Sequence, residues 1–341
     1  MRYGYWLPVF GGWLRNVENE EMETSWSYVK KLAQRSEQIG FDLTLIAELF
    51  LNDIKGEAAP SLDAWSTAAA LAAVTEKLEL MVAVRPTFHN PAILAKQAAN
   101  IAHISNNRLS LNVVSSWWKE EALKYGIQYE QHDDRYARMK EWLEVVSGLW
   151  EKDHLDYNGK YYQVQDAIMQ PKPLIKPDLY AGGESEAGKN LIAQLCSGYV
   201  MHGDSPDVIA KRIKDVKERR EKLGLPPMKF GVAAYSIIRN SEAAVKKEIE
   251  RITNVQTSAA GYNNYQQWLN GTQLEKRVSL EDYSVSNRGL RSGLTGTPNQ
   301  VAGQIELFER AGVDFFLLQC SPQLEEMERF AEAVIGSQIA V

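Results

Sequence analysis

Eight short apolar runs recur along the chain, and longer segments with a helical spacing of apolar residues separate them. This alternation of strand and helix is typical of βα units built around a parallel sheet. Eight strands favour a closed (β/α)₈ TIM barrel of class α/β, and one such domain can accommodate all of residues 1–341. The predicted strands are Tyr3–Phe10, Leu43–Ala47, Leu78–Val84, Leu109–Val114, Asp178–Ala181, Gly198–Met201, Met228–Ile238 and Phe315–Gln319.

The segments between the strands predict helices, several of which end at a glycine, as helix C-termini often do. A doubly wound dinucleotide-binding sheet is the main structural alternative. The first strand is followed by FGGWLRN and not by a GxGxxG motif at the start of a helix, which disfavours that alternative. The predicted helices include Trp26–Ile39, Ala64–Val74, Ala92–His103, Arg135–Trp150, Pro206–Leu223 and Pro298–Ala311.

Two stretches interrupt this alternation. In Asp153–Gln165, the pair Asn158-Gly159 lies between residues of alternating polarity, which predicts an inserted β-hairpin. Residues Thr257–Arg291 are polar, aromatic and glycine-rich, and they lie between the seventh and eighth predicted strands. Loops at the corresponding end of a barrel carry active-site residues, so this insertion is predicted to be a mobile lid.

The composition disfavours several classes of function. A formal net charge of −6, without any basic stretch free of acidic residues, disfavours a nucleic-acid partner. Histidines and cysteines do not cluster at metal-ligand spacing, so no metal site is predicted, and Cys196 and Cys320 are expected to be buried thiols. No apolar stretch approaches the ~20 residues that span a bilayer, and the chain is expected to be cytoplasmic without a membrane partner.

Barrel enzymes build their active sites at the carboxyl ends of the strands, so polar residues at strand-to-loop junctions are candidate site residues. Gly182, Gly183, Glu184 and Ser185 lie between the fifth strand and a helix. The glycines would let a phosphate approach the backbone at a helix N-terminus, although a tight turn with a capping serine explains the same motif. At the end of the fourth strand, Asn112 can both donate to and accept from the edge of a heterocycle.

Two arginines are predicted near the same end of the barrel. Arg85 ends the third strand, where a buried cation needs a partner or a cleft. Arg135 and Tyr136 are predicted to lie in the first turn of a helix that begins near Arg135, with Asp133 or Asp134 as its cap. A cation in a first turn opposes the helix dipole and therefore suggests a bound anion or a buried carboxylate.

The order of these motifs resembles that of the bacterial luciferase-like flavin monooxygenases, most closely their alkanesulfonate and dimethylsulfone monooxygenase branch. The resemblance covers nearly the full length and is more specific for the family than for the substrate. It rests on Trp6-Leu7-Pro8, IGFD with Asp42, VAVRP ending at Pro86, the segment from Pro91 to Ser115, HDDRY, the hairpin, QPKP from Gln170, AGGES, and GTP with Pro298.

This resemblance implies FMN as the cofactor, reduced by a separate NAD(P)H-dependent flavin reductase. Reduced FMN would react with O₂ to give a flavin peroxide, which would pass one oxygen atom to a small organosulfur substrate, a sulfonate or a sulfone. Ala83 replaces the threonine of relatives thought to use an N5-peroxide and so favours the C4a-peroxide. A homodimer or homotetramer is expected. The expected cofactor-binding residues are Glu48, Ala83, Asn112, Ser115, Glu121, Arg135, Tyr136, Gly182, Gly183, Glu184 and Ser185.

On the substrate side, three arginines match or nearly match basic residues of the alkanesulfonate branch, and a histidine ends the sixth strand. Together with the asparagine of the fourth strand they form the candidate catalytic set. Its members are Asn112, Arg85, Arg288, Arg291 and His202.

Other positions depart from the relatives. Glu48 follows the second strand, where luciferases carry a catalytic histidine, so light emission is not expected. Four positions lack the Cys, Arg, His and Tyr of the alkanesulfonate enzymes, which disfavours an alkanesulfonate as the substrate. These positions are Ser61, Ala233, Tyr235 and Ser321.

Three alternatives stay open. The first is an F420- or FMN-dependent oxidoreductase of the same superfamily that acts on a non-sulfur substrate. The second is a non-catalytic flavin-binding barrel, which the intact Arg288 and Arg291 disfavour. The third, a flavin-free barrel, needs paired catalytic carboxylates at strand ends, for which Glu48 and Glu121 are the candidates.

Overall fold

The computed structural model describes residues 1–286 and 289–336. Eight parallel strands form a closed barrel, in which successive barrel strands pair along the chain and the eighth pairs with the first. This arrangement confirms the predicted (β/α)₈ barrel. The barrel strands are Arg2–Leu7, Leu43–Ile46, Glu79–Val84, Leu109–Val113, Asp178–Ala181, Gly198–His202, Lys229–Tyr235 and Phe315–Gln319.

The seventh barrel strand is shorter than the predicted Met228–Ile238. It ends at Tyr235, after which Ser236 donates its backbone N–H to the eighth barrel strand. The next two residues, Ile237–Ile238, leave the barrel and pair in parallel with Thr295–Gly296. The seventh strand therefore ends with Tyr235 at the carboxyl end of the barrel.

Helices surround the barrel, and most begin and end close to the predicted residues. The helix around Arg135 differs because it begins at His132, with Gln131 as its N-cap. Asp133 and Asp134 therefore lie in its first turn, where their charges interact favourably with the helix dipole, and the prediction that one of them caps the helix was wrong. The helices are Trp26–Gln38, Ala64–Val74, Pro91–Ile104, Lys119–Lys124, His132–Glu151, Glu186–Leu195, Pro206–Lys222, Glu242–Thr253, Tyr265–Gly271, Leu280–Ser284, Pro298–Ala311 and Gln323–Phe330, with a 3₁₀ turn at Ala260–Tyr262 and a π-helical turn at Ala331–Ile335.

Aromatic side chains fill the barrel below the carboxyl ends of its strands. Tyr180 and Phe315 are buried edge-to-face rings whose centroids lie 5.6 Å apart. Each ring needs a glycine beside it, because a Cβ atom on Gly198 would collide with the Tyr180 ring and one on Gly231 with the Phe315 ring. Since the interior is packed here, the space for a ligand lies towards the carboxyl end of the barrel.

The predicted hairpin lies between the fourth and fifth barrel strands. Its strands, Leu155–Asn158 and Gln163–Ala167, pair antiparallel, and Gly159 donates its N–H to the Tyr162 carbonyl at 2.9 Å. The Tyr162 hydroxyl donates to the Pro86 carbonyl, also at 2.9 Å. This contact ties the hairpin to the end of the third barrel strand.

The insertion at residues 257–291, called the lid below, is a compact helical segment in the part that the structure describes. It contains the 3₁₀ turn and the helices Tyr265–Gly271 and Leu280–Ser284. Most of its buried apolar side chains form a hydrophobic cluster separate from the barrel core, whereas Val285 packs in that core. The buried members of this cluster are Tyr262, Tyr265, Trp268, Val278 and Tyr283.

Within residues 1–286 and 289–336, no helix is both long enough and apolar enough to span a membrane. Cys196 and Cys320 are buried and unpaired with each other, as expected from their apolar surroundings.

Candidate active site

A cavity lies at the carboxyl ends of the barrel strands, and lid residues form part of its wall. Glu121, Ser185 and Arg291 lie outside its lining, and Arg288 lies outside the described residues. The other candidate residues are brought together here. They are Glu48, Ala83, Arg85, Asn112, Ser115, Arg135, Tyr136, Gly182, Gly183, Glu184 and His202.

The turn after the fifth barrel strand has no room for side chains at its two glycines. A Cβ atom on Gly182 would lie 3.0 Å from a carbonyl oxygen of the sixth strand, and one on Gly183 would lie 2.7 Å from the Tyr136 hydroxyl. Ser185 caps the following helix by accepting a hydrogen bond from the Gly188 N–H at 3.2 Å. The turn thus brings bare backbone and a helix N-terminus, whose first N–H groups lack intrahelical partners, to the cavity wall.

Tyr136 faces this turn from the helix His132–Glu151. Burial raises the pKa of Tyr136, although a hydrogen bond with the Ser185 hydroxyl acts in the opposite direction. The phenol therefore stays protonated near neutral pH and keeps a proton to donate. An anion at the turn would meet this donor beside the helix N-terminus.

Asn112 lies on the fourth barrel strand with its side chain in the cavity wall. It is only 6% exposed, and its Oδ1 atom has no hydrogen-bond partner among the described residues. An unsatisfied buried acceptor costs about 1–3 kcal/mol, so a donor is expected from a ligand or a water molecule. Ala83, its register partner on the third strand, also lines the cavity and presents only a methyl group.

Arg85, at the end of the third strand, is held by two buried carboxylates. Its Nε atom lies 3.3 Å from Glu48 Oε2, and its Nη1 atom donates to Glu121. Glu48 also accepts the backbone N–H of Arg85 at 3.0 Å, and its other oxygen lies 2.6 Å from His89 Nε2. Because these carboxylates neutralise Arg85, its charge is not available to an anionic substrate.

Arg135 is a second arginine of the cavity wall, and its hydrogen bonds go to neutral oxygen atoms. Its Nε atom donates to Ser115 Oγ at 3.4 Å, its Nη2 atom to the Gly271 carbonyl at 3.1 Å, and its Nη1 atom to the Tyr129 hydroxyl. No carboxylate in the described part of the chain forms an ion pair with it. Its positive charge is therefore available to an anion in the cavity.

Glu184 is engaged by partners outside the cavity. Its carboxylate lies 3.5 Å from Arg212 and accepts the backbone N–H of Glu275, a lid residue, at 3.1 Å. Arg212 also contacts the Glu275 carboxylate at 2.9 Å and donates to the His202 carbonyl at 3.3 Å. A phosphate at this turn would therefore meet the backbone around Glu184 and not the Glu184 carboxylate.

Aromatic residues form much of the remaining wall. Trp117 lines the cavity and stacks on the fully buried Trp118, with ring centroids 5.3 Å apart. Such a wall excludes water and suits a small ligand of low polarity. The other aromatic and apolar lining residues include Trp6, Phe10, Trp13, Leu45, Tyr235 and Trp268.

Arg291, the candidate lid arginine that the structure describes, is bound within the lid. Arg291 donates to Asp282 from Nε at 3.0 Å and from Nη2 at 2.6 Å, and to the Arg277 carbonyl at 3.1 Å. Its position therefore does not support the substrate-binding role that the resemblance implied.

Some residues around the cavity were missed by sequence reasoning because they come from loops far apart in the chain. Asp53 lines the cavity and pairs with Arg15 at 2.7 Å, and Trp268 enters the wall from the lid. Their position in the sequence could have revealed Arg15 and Asp53. These two residues follow the first and second barrel strands and so belong to the same end of the barrel.

Comparison with known proteins gives consistent relatives. A family model described as luciferase-like monooxygenase matches residues 1–314. An FMNH₂-dependent dimethylsulfone monooxygenase of Pseudomonas putida is 31% identical over 346 residues, which cover 98% of this chain and 94% of the relative. The enzyme of the same description from Pseudomonas fluorescens (strain Pf0-1) is 29% identical over 351 residues, which cover 98% and 93%. The crystal structure of a long-chain alkane monooxygenase superposes with a TM-score of 0.82 at 20% identity over 99% of this chain and 90% of that one, which shows a shared fold alone.

Proposed function

The chain belongs to the luciferase-like monooxygenase family, and we propose that it is a two-component, FMNH₂-dependent monooxygenase whose substrate is a small neutral organosulfur compound, a sulfone. A separate NAD(P)H-dependent flavin reductase supplies the reduced FMN. One oxygen atom of O₂ enters the substrate, the other leaves as water, and the reduced flavin is oxidised.

One observation carries this proposal: a single cavity joins the Gly182–Ser185 turn to the buried, unpartnered Oδ1 atom of Asn112. The turn offers a helix N-terminus and bare backbone, which suit a phosphate group. Asn112 offers an acceptor to an N–H edge of a flavin ring. A ligand with a phosphate at one end and a polar heterocycle at the other satisfies both features, and FMN has this chemistry.

Reduced FMN, when bound, supplies the electrons that activate O₂. The residues around it have separate tasks. Tyr136 donates a hydrogen bond on the phosphate side, and the unneutralised charge of Arg135 stabilises negative charge on the bound cofactor. Aromatic residues such as Trp117 and Trp268 keep water away from the reacting atoms.

The charges around the cavity favour a neutral substrate over a sulfonate anion. Arg85 is neutralised by Glu48 and Glu121, and Arg291 by Asp282. A sulfonate transferred from water to this site would lose its hydration without gaining either arginine as a partner. The names of the two relatives, both dimethylsulfone monooxygenases, support the same choice.

The cofactor assignment is tested by anaerobic titration with reduced FMN. Gly183→Val places a branched side chain against the Tyr136 hydroxyl and is expected to weaken binding at least tenfold, which corresponds to ~1.4 kcal/mol. Gly303→Val is the matched control, because a Cβ atom at this helical position meets no atom within 4 Å. Equal affinities of the two variants, or tighter binding of reduced F420 than of reduced FMN, would contradict the assignment.

The substrate assignment is tested with the flavin reductase, NADH and O₂. Turnover is expected with dimethyl sulfone and not with methanesulfonate, which has similar size but carries a charge. Comparable turnover of methanesulfonate would show that a cation reaches the substrate after all.

A further inference from the structure

A buried ion pair joins two barrel loops next to the cavity. Arg15 Nη2 lies 2.7 Å from Asp53 Oδ2, and the two side chains are 0% and 3% exposed. Arg15 follows the first barrel strand and Asp53 follows the second. Charges so completely removed from water need many partners, and most partners of this pair come from the lid.

Arg15 uses its guanidinium to hold lid carbonyls. It donates from Nη1 to the Gly261 carbonyl at 2.9 Å and from Nε to the Tyr283 carbonyl at 2.9 Å. The other carboxylate oxygen of Asp53, Oδ1, accepts hydrogen bonds from Asn264 Nδ2 at 3.3 Å and from the Tyr283 hydroxyl at 3.4 Å. The ion pair therefore contacts the lid near its beginning and near its end.

The backbone beside Arg15 adds to this attachment. The Arg15 N–H donates to the Ser284 carbonyl at 3.0 Å, and the Ser286 N–H donates to the Trp13 carbonyl at 2.7 Å. Leu14 and Val285 form an antiparallel bridge between the two segments. The chain after the first barrel strand thus pairs with the lid as a short strand would.

A series of contacts between flat groups, called the stack below although its two rings are tilted by 35°, connects the ion pair to the cavity. The Arg15 guanidinium lies 3.7 Å from the centroid of the Tyr283 ring, and the Tyr283 ring lies 5.2 Å from that of Trp268. Trp268 is 3% exposed and lines the cavity. A change at Arg15 can therefore move a wall residue that Arg15 does not touch.

We propose that Arg15, with Asp53, is a positioning residue that fixes the lid on the barrel and sets Trp268 in the cavity wall. The kinetic consequence rests on the proposed function, whereas the attachment of the lid does not. Arg15 acts through Tyr283 and Trp268, without touching the cofactor or the substrate itself.

Hydrogen exchange on the ligand-free protein tests the attachment directly. Backbone amides of residues 280–286 are expected to be protected in the wild type without ligand. Arg15→Lys keeps the charge but loses the planar fork and the stack, so exchange in this segment is expected to rise at least tenfold. Arg35→Lys, in an exposed pair with Glu328, is the control and should leave the segment unchanged. Fast exchange of residues 280–286 in the wild type, or no change in Arg15→Lys, would overturn the proposal.

Steady-state kinetics with the sulfone test the positioning of Trp268. Arg15→Lys is expected to raise KM about fivefold or more while the Kd for reduced FMN stays within about twofold, because the Gly182–Ser185 turn is not part of this stack. If Arg15→Lys does not fold, Tyr283 offers a second test, because Tyr283→Leu removes the ring from the stack and Tyr283→Phe keeps it. KM should rise more in Tyr283→Leu than in Tyr283→Phe, and equal values would overturn the proposal. Protection of residues 280–286 without any oxygenation would refute the proposed function and still support the attachment.

Discussion

Replacing Arg85 by methionine should lower the free energy of unfolding by about 3–5 kcal/mol, the usual cost of leaving buried charge without its partner. This loss lies at or above the upper end of the ~0.5–3 kcal/mol that most single substitutions cost. Arg85 contacts both Glu48 and Glu121, whose side chains are 1% and 0% exposed. Methionine fills a similar volume, so the loss of stability comes from the uncompensated carboxylate charge and not from a cavity.

The remaining hydrogen-bond partners of Glu121 show why its charge stays uncompensated when Arg85 is replaced. Without Arg85, Glu121 keeps, among its hydrogen-bond partners in residues 1–286 and 289–336, the backbone N–H groups of Phe50 at 2.6 Å and Leu51 at 3.3 Å. In the double variant Arg85→Met/Glu121→Gln, the amide oxygen can still accept from these N–H groups but carries no charge. It should therefore recover at least ~1.5 kcal/mol of the loss.

Urea unfolding followed by circular dichroism measures these differences, provided the slope m stays constant among the variants. Arg35→Met, which breaks the exposed pair with Glu328, is the control and should cost no more than about 1 kcal/mol. A loss for Arg85→Met as small as that of the control would refute the reasoning. So would a double variant that is less stable than Arg85→Met.

Three further predictions follow from contacts in and around the cavity. Tyr136→Phe should weaken reduced-FMN binding several-fold, which corresponds to about 1 kcal/mol. Because burial raises the pKa of Tyr136, the affinity of the wild type for reduced FMN should not fall from loss of this proton between pH ~7 and ~9. Calorimetric titration at several pH values checks both expectations. Burial raises the pKa of Cys196 to about 12, and that of Cys320 also rises, so neither thiol should react with a disulfide reagent at neutral pH in the native protein, whereas both should react in urea. Arg291→Lys loses the paired contact with Asp282 and should therefore speed proteolysis of the lid with little effect on KM. A large rise in KM would instead indicate that Arg291 contacts the substrate.

The parts of the site that were predictable from the sequence are those made by neighbours in the chain. Gly182, Gly183 and Ser185 lie between a strand and a helix, so their local order already specifies bare backbone beside a helix N-terminus. The barrel was predictable for the same reason, because each βα unit carries its own pattern of apolar residues. The start of the helix at His132 was missed because Gln131 is not a typical capping residue, and the two aspartates after it are.

The substrate side could not be predicted in this way, because there the role of a charged residue depends on partners that are distant in the chain. Arg85 and Arg291 looked alike as candidate anion binders, and each is neutralised by carboxylates whose pairing with it the sequence does not show. Arg135, which was expected from its place near a helix start and from the resemblance, differs from these two arginines because it bonds neutral oxygens. An arginine is thus available to a ligand only when the fold leaves it without a carboxylate. In the described part of this cavity wall that condition places the available positive charge with Arg135, whose neighbour Tyr136 faces the Gly182–Ser185 turn, and we therefore expect this charge to serve the cofactor and not the substrate.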